Sequence, residues 1–106
     1  MKVMKFKPDF YVLDGNKRDL SITANIPIDN ITLLYELSGL TVPIETHKDS
    51  GVLIIRGDWF FVESKVGGMS INITLDSNLT EFERNIVLAV DNMGKGACLT
   101  IQQLPL

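Results

Sequence analysis

Alternation of apolar and polar residues constrains this chain more than any other feature of its sequence. Leu20, Ile22 and Ala24 alternate with polar residues, and the same period of two recurs in the segments 71–75 and 86–90. Period two places one face of a strand in a core and the other toward solvent, as antiparallel sheets require. A register shift of one residue would turn each apolar set outward, so the pattern also restricts strand pairing.

Turn-forming residues such as Asp14-Gly15-Asn16 and Gly67-Gly68 separate the apolar runs. Between these turns the sequence predicts strands near 9–13, 19–25, 31–37, 41–46, 51–55, 59–63, 69–76, 84–91 and 97–103. A single helical turn is predicted at 77–82, where Ser77 or Asn78 could cap it. Seven to nine short strands at this spacing are typical of an immunoglobulin-like antiparallel β-sandwich. The 106 residues fit one such domain over the whole chain, 1–106.

Two segments depart from this regular pattern. Residues 1–8 contain Lys2, Lys5 and Lys7 and are predicted to form an N-terminal arm. The arm is interpreted either as a solvated face or as a contact with an acidic partner, and its removal is expected to leave the fold intact. Residues 37–51 are interpreted as an inserted hairpin or loop.

The composition excludes several classes of function. A net charge of −3 argues against nucleic-acid binding, which needs a concentrated basic face. No stretch approaches the ~20 apolar residues of a membrane span, and the start has no apolar run of signal-peptide length. We therefore expect no nucleic-acid or membrane partner, and a chain that stays in the cytoplasm where it is made unless a signal has been removed.

The residues that carry most enzyme chemistry are scarce. Cys98 and His47 are the only residues of their types, too few for a zinc site built by the protein alone. Cys98 lies in an apolar strand pattern, where a free thiol is expected to behave as a small buried hydrophobe. No pair of carboxylates is singled out for glycoside hydrolysis. We predict no catalytic residues, no metal site and no cofactor.

The segment 58–103 resembles one known family in the order of its elements. A Trp-containing strand with Trp59 is followed by a Gly turn and an alternating strand that leads to Asn78; Arg84 then begins a further strand, and the closing strand ends near Gln102. This order is similar to the BACON family (Bacteroidetes-associated carbohydrate-binding, often N-terminal). The resemblance implies an immunoglobulin-like sandwich, found as an accessory module of secreted or surface proteins, and implies carbohydrate binding through the family's name.

Four residues of that pattern, Trp59, Asn78, Arg84 and Gln102, are predicted to be structural. A Trp in a central strand is usually a core residue. Neighbouring strand residues point to opposite faces, so Phe60 is predicted to be exposed, to a protein or to a sugar. Arg84 is predicted to form a salt bridge or to cap carbonyl groups at one end of the sandwich, with contact to an acidic ligand as the alternative.

The hypothesis that we favour for function is a non-enzymatic protein that coats a larger assembly. A short immunoglobulin-like chain without a signal peptide fits a phage decoration (auxiliary capsid) protein, which would be made in the host cytoplasm and reside in the virion. The alternative is a carbohydrate-binding accessory module that acts outside the cell or at its surface. The residues predicted to contact capsid subunits or another partner are Lys2, Lys5, Phe6, Lys7, Phe60, Leu104 and Leu106.

Overall fold

The computed structural model describes residues 3–38 and 44–106 and contains nine strands within them. These are β1 (Phe10–Leu13), β2 (Arg18–Thr23), β3 (Asn30–Leu37), β4 (Glu45–Asp49), β5 (Val52–Arg56), β6 (Phe60–Lys65), β7 (Ser70–Leu75), β8 (Arg84–Asn92) and β9 (Lys95–Gln103). The described residues contain no helix.

The strands form two sheets that pack face to face. One has four strands in the order β1-β9-β8-β3, and the other has five in the order β2-β7-β6-β5-β4. Every pair is antiparallel except β1 with β9, which run parallel. The prediction of an all-β, immunoglobulin-like sandwich of seven to nine short strands is confirmed.

The apolar set predicted from the alternation lies between the two sheets. Eight of these side chains have no solvent exposure, namely Ile71, Ile73, Leu75, Ile86, Leu88, Val90, Leu99 and Ile101. Burial of one such side chain contributes about 1.5–3 kcal/mol. The core therefore lies along the middle strands β7, β8 and β9, and the two outer faces of the sandwich remain open to contacts.

The connections between strands gather at two opposite ends of the molecule. We call the end formed by residues 24–29, 50–51, 66–69 and 93–94 the upper end, and the end formed by residues 14–17, 57–59, 76–83 and 104–106 the lower end. The molecule extends 43 Å along its longest axis. Val3 and Lys5 are bonded to the side chain of Asn25 at the upper end, whereas Leu106 lies at the lower end.

The structure corrects the expectation of a free N-terminal arm. Met4 is 1% exposed and Phe6 7% exposed, and both belong to the core. The side chain of Asn25 accepts a hydrogen bond from the Lys5 N–H at 2.7 Å, so the segment is also held through its backbone. Phe6 is therefore not a partner-binding residue. Lys5 and Lys7 are exposed, and Lys2 lies outside the described residues.

Three local predictions also differ from the structure. The predicted helical turn at 77–82 is an irregular loop. Cys98 is exposed, because Leu99 and Ile101 occupy the inward positions of β9. The strand predicted at 41–46 is β4, at Glu45–Asp49, which forms a hairpin with β5. Residues 39–43 lie outside the described residues.

We expect the N-terminal segment that contains Met4 and Phe6 to stabilise the fold rather than to act as a free arm. Met4→Ala and Phe6→Ala should each lower the free energy of unfolding by about 2–5 kcal/mol, since each leaves a cavity in the core. Urea denaturation followed by tryptophan fluorescence measures the change. Val3→Ala, at an exposed neighbouring position, is the control; if the three variants were equally stable, the placement of Met4 and Phe6 would be wrong.

Candidate functional site

The two consecutive aromatic residues at the start of β6 are both buried. Trp59 is 2% exposed and Phe60 3% exposed, and their rings meet edge to face with centroids 5.0 Å apart. The prediction that Phe60 is exposed was wrong, because Trp59 precedes the first residue of β6 and the two do not alternate as strand neighbours. A Cβ atom at Gly57 would overlap the Phe60 ring, so the glycine makes room for that ring.

Arg84 lies in the interior of the lower end. Its guanidinium stacks 4.7 Å above the Trp59 ring, and its Nη2 donates to Gln103 Oε1 at 2.8 Å and to the carbonyl oxygen of Asp76 at 3.1 Å. Burial lowers the pKa of the guanidinium from its ordinary value. The structure thus shows the carbonyl-capping role, with no Arg84 salt bridge among the described residues, and the inward-facing guanidinium is not free for an acidic ligand.

Gln103, not the predicted Gln102, completes this buried cluster. Gln103 has no exposure, and its amide nitrogen donates to the carbonyl oxygens of Asp76 at 2.8 Å and Asn16 at 3.3 Å. Gln102 is half-buried on the outer side, where its amide contacts the carboxylate of Glu83. Strand parity could have identified Gln103, because it shares a face with Leu99 and Ile101.

Asn78 joins the loop after β7 to the C-terminal residues. Its backbone N–H donates to the Gly15 carbonyl at 2.8 Å, and its own carbonyl accepts from the Leu106 N–H at 3.0 Å. Its side chain accepts from the Thr80 hydroxyl at 2.6 Å and donates to the Phe82 carbonyl at 2.8 Å. These bonds impose a non-helical loop on residues 76–83, which explains why the predicted helical turn is absent.

The C-terminal tail is held through its backbone while its side chains face solvent. The Leu104 N–H donates to the Leu13 carbonyl at 2.8 Å. The side chains of Leu104 and Leu106 are both exposed. They are therefore placed where a partner could contact them, as part of the lower end rather than as a free tail.

The outer faces of the two sheets differ in chemistry. The outer face of the five-stranded sheet is mostly polar and carries charged side chains, as in the cross-strand row Ser21, Asn72, Glu63, Ile54 and His47. The outer face of the four-stranded sheet has two cross-strand rows without a charged side chain: Phe10, Thr100, Val87, Tyr35; and Val12, Gln102, Asn85, Leu37. We call these two rows the uncharged face.

The uncharged face presents large apolar side chains to solvent. Phe10, Val12, Tyr35 and Leu37 are each close to half exposed. Glu36 points inward and accepts a hydrogen bond from Trp59 Nε1 at 3.1 Å, so its neighbours Tyr35 and Leu37 point outward. Three strand spacings separate Phe10 from Tyr35, about 14 Å. Sequence reasoning missed this face, since it depends on which strands are neighbours.

Two surface hollows accompany these features. The first, of about 200 Å³, lies at the lower end and is lined by Arg56, Gly57, Trp59, Phe60, Phe61, Thr74 and Asp76. Arg56 already covers the Phe61 ring, 5.1 Å from its centroid. The second, of about 280 Å³, lies toward the upper end and is lined by Ala89, Val90, Asp91, Gly94, Gly96, Ala97 and Cys98. We call the second one the hairpin hollow, because residues 93–94 connect β8 and β9.

Neither hollow contains a recognisable metal site. In the ranges 3–38 and 44–106, no three His, Cys, Asp or Glu side chains come together in a group that could hold a metal ion.

No helix in those ranges has the length and apolar character needed to cross a bilayer.

Comparisons with known proteins show that the fold is similar to that of two solved structures. No known family profile matches the chain, and no curated protein matches it in sequence. An NMR structure of a protein from Bacteroides thetaiotaomicron superposes on all of this chain and 90% of that chain, with a TM-score of 0.66 and 14% identity. The Bacteroides ovatus GH5 xyloglucanase in complex with a XXXG heptasaccharide superposes on 97% of this chain, with a TM-score of 0.58 and 15% identity.

This chain spans only 19% of the length of the xyloglucanase chain. At identities of 14% and 15%, the likeness shows a common fold and nothing finer. The resemblance to the BACON family stays a prediction.

Gln103 is expected to be more important for stability than its neighbour. Gln103→Leu should lower the free energy of unfolding by about 2–3 kcal/mol, because it removes the side-chain acceptor of the buried Arg84 guanidinium and leaves it only the Asp76 carbonyl oxygen. Gln102→Leu, on the half-buried outer position, is the matched control and should change stability by no more than about 0.5 kcal/mol. Urea denaturation of both variants measures the two changes in the free energy of unfolding. Equal losses of stability would contradict the assignment of Gln103 to the buried cluster.

A pair of carboxyl groups at the upper end should make stability depend on pH. Burial raises the pKa of Asp91, and a hydrogen bond to Asp29 and the charge of Asp29 raise it further. A raised folded-state pKa stabilises the fold below the unfolded value near 3.8, and this contribution is lost as the pH rises through the folded value. Asp91→Asn should therefore become more stable relative to wild type as the pH rises from 3.8. Urea denaturation at a series of pH values above 3.8 measures the difference in the free energy of unfolding between the variant and wild type. A difference that does not change with pH would contradict the interaction between Asp91 and Asp29.

Proposed function

We propose that this chain is a non-enzymatic protein that coats a larger protein assembly, which it contacts through the uncharged face. The assembly that we propose is a phage capsid, with the protein residing in the virion. The observation that carries the proposal is the contrast between the two outer faces. The outer face of the five-stranded sheet is polar and charged, whereas two rows that cross all four strands of the other sheet contain no charged side chain.

The composition of the uncharged face supports a protein partner. The centres of protein interfaces are poor in charged residues and enriched in aromatic ones, and aromatic anchors account for much of the binding energy. Phe10 and Tyr35 provide two such anchors on a rigid, hydrogen-bonded sheet. The 43 by 27 Å extents of the molecule leave room for the roughly 800 Å² per partner of a standard interface.

The position of the other aromatic residues weighs against a sugar platform at β6. Trp59 and Phe60 lie in the core and are not free to stack on a sugar ring. Phe61 is half-buried and lies under Arg56. Phe10 and Tyr35 are exposed aromatic residues, but they are spread over a flat surface rather than a cleft, and ligand sites for small molecules are usually concave.

A second candidate function is an accessory module of a carbohydrate-active protein, acting outside the cell or at its surface. The likeness to part of a xyloglucanase chain favours this candidate, as does the resemblance of residues 58–103 to the BACON family. On this hypothesis Phe10 and Tyr35 would contact a neutral polysaccharide, because the face between them carries no charge. Neither candidate requires a catalytic residue, a metal or a cofactor.

The capsid proposal is tested in the native source by placing a photo-crosslinking residue at position 35. We expect one capsid subunit to be the dominant crosslinked protein. The double variant Phe10→Ala/Tyr35→Ala should then weaken binding to assembled particles at least tenfold in a co-sedimentation assay, since it removes both anchors.

The double variant Ser21→Ala/Asn72→Ala, on the opposite outer face, is the control and should bind particles like wild type. If both double variants bound equally well, the uncharged face would not be the contact. Retention of the protein on a xyloglucan resin, lost in the Phe10/Tyr35 variant and without a capsid crosslink, would favour the second candidate.

A further inference from the structure

The two sheets of the sandwich differ in width, and the extra strand is β4. The last strand of the four-stranded sheet, β3, faces β5 across the core. The last strand of the five-stranded sheet, β4, packs on no strand of the described residues except β5. All five residues of β4 are exposed. β4 therefore extends beyond β3 with its inner face uncovered.

Strand parity identifies the side chains on that inner face. In the pairing of β4 with β5, Thr46 lies directly opposite Ile55, and Lys48 lies directly opposite Leu53. Ile55 and Leu53 are buried in the core, and side chains of directly opposite residues share a face of the sheet. Thr46 and Lys48 thus point toward the layer of the four-stranded sheet, at a place where the described residues contain no strand.

Beside this gap, β3 offers an open row of hydrogen-bonding groups. Half of the backbone groups of an edge strand point away from its single neighbour, which for β3 is β8. Within the described part of the chain, no backbone group bonds to the free side of β3. The bulge between Leu33 and Tyr35 interrupts the strand, so the regular part of this edge is the stretch from Asn30 to Leu33, near the upper end.

We propose that β3 accepts an extended segment of a partner protein as a fifth strand, which lies under the inner face of β4. Neighbouring strands lie about 4.8 Å apart and packed sheets about 10 Å apart. A strand paired with β3 would therefore have β4 opposite it, as β3 has β5. Strand addition of this kind satisfies the open backbone groups of the edge, while alternate side chains of the added segment provide specificity.

The charges around the gap indicate the chemistry of the segment. Glu36 is the charged residue of β3, and it already accepts a hydrogen bond from Trp59. Lys48 has no ion-pair partner in the ranges 3–38 and 44–106, and an added strand would cover it. An ammonium group that is removed from water needs an opposite charge. The segment should therefore carry an acidic residue at the inward position that faces Lys48 and apolar residues at its other inward positions.

A second copy of this chain does not fit the gap. The edge strands β1, β2 and β3 of another copy each belong to a sheet that is backed by a second sheet, and this second sheet would collide with β4. Insertion of β4 from another copy would place two Lys48 ammonium groups face to face. The gap instead fits a single strand with no sheet behind it, as an extended segment provides.

This inference goes beyond the proposed function, because the segment would lie at the edge and the inner side of β3. The uncharged face uses the outer side of the same sheet. The variant Phe10→Ala/Tyr35→Ala should therefore bind such a segment like wild type, and the two proposals can fail separately.

The test uses a display library of random nine-residue peptides, selected on the immobilised purified protein. We expect the enriched peptides to alternate apolar and polar residues and to share Asp or Glu at one position. Selection on Lys48→Glu should enrich Lys or Arg at that position. Lys65→Glu, on the outer face of the same sheet, is the matched control and should enrich acidic peptides as wild type does. Failure to enrich alternating peptides, or the same peptides from all three proteins, would overturn the proposal.

A second measurement examines the backbone hydrogen bonds directly. In a synthetic peptide of the selected sequence, N-methylation of the alternate amides that face β3 should weaken binding about tenfold or more, since each loses a donor. Methylation of the intervening amides, which face solvent, is the control and should leave affinity nearly unchanged. Equal effects of the two methylation patterns would contradict strand addition.

Amide hydrogen exchange locates the bound peptide. The exchange of β3 amides in the stretch Asn30–Leu33 should slow when the peptide is added, whereas exchange in β2, the edge strand of the other sheet, should not change. Slow exchange in β3 without peptide, together with dimers in sedimentation, would make a second copy the occupant and would overturn the proposal.

Discussion

The buried guanidinium of Arg84 is the group on which the lower end of the sandwich depends. A charged group in an apolar interior is tolerated only when its donors are satisfied. Gln103 and the Asp76 carbonyl satisfy them, and the Trp59 ring covers the guanidinium. Because these partners come from β9, from the segment after β7 and from the segment before β6, one side chain couples strands of both sheets.

Order in the loop that follows β7 is a consequence of the same cluster. Gln103 also bonds to the Asn16 carbonyl, and Asn78 connects that region to Leu106 and to its own loop. The irregular segment 76–83 is therefore ordered without a helix or a strand of its own. The apolar side chains of Leu79 and Phe82 on this loop lie at the surface.

The period of two was sufficient to predict the sandwich, most of its strands and the set of inward residues. This pattern gave wrong predictions where the alternation of side chains along a strand is interrupted. Trp59 lies just before β6, so parity misplaced Phe60, and the bulge between Leu33 and Tyr35 hides which residues of β3 face outward. The prediction of Gln102 was also wrong, although parity counted from Leu99 selects Gln103 as the inward residue. The uncharged face could not be predicted, because it is made by neighbours such as β1 and β9, which are far apart in the sequence.

Trp59 and Phe60 are buried, so they do not offer a binding surface at the start of β6. The surfaces open to a partner are those formed where strands distant in the sequence lie side by side. Charged side chains are one of the devices by which natural β-sheet proteins avoid association at the edges of their sheets. Here β4 is an edge with Glu45, Lys48 and Asp49, whereas the four-stranded sheet has an uncharged face. The charge pattern therefore leaves the four-stranded sheet as the outer face whose two rows from Phe10 to Tyr35 and from Val12 to Leu37 can be covered without burying a charged side chain of those rows.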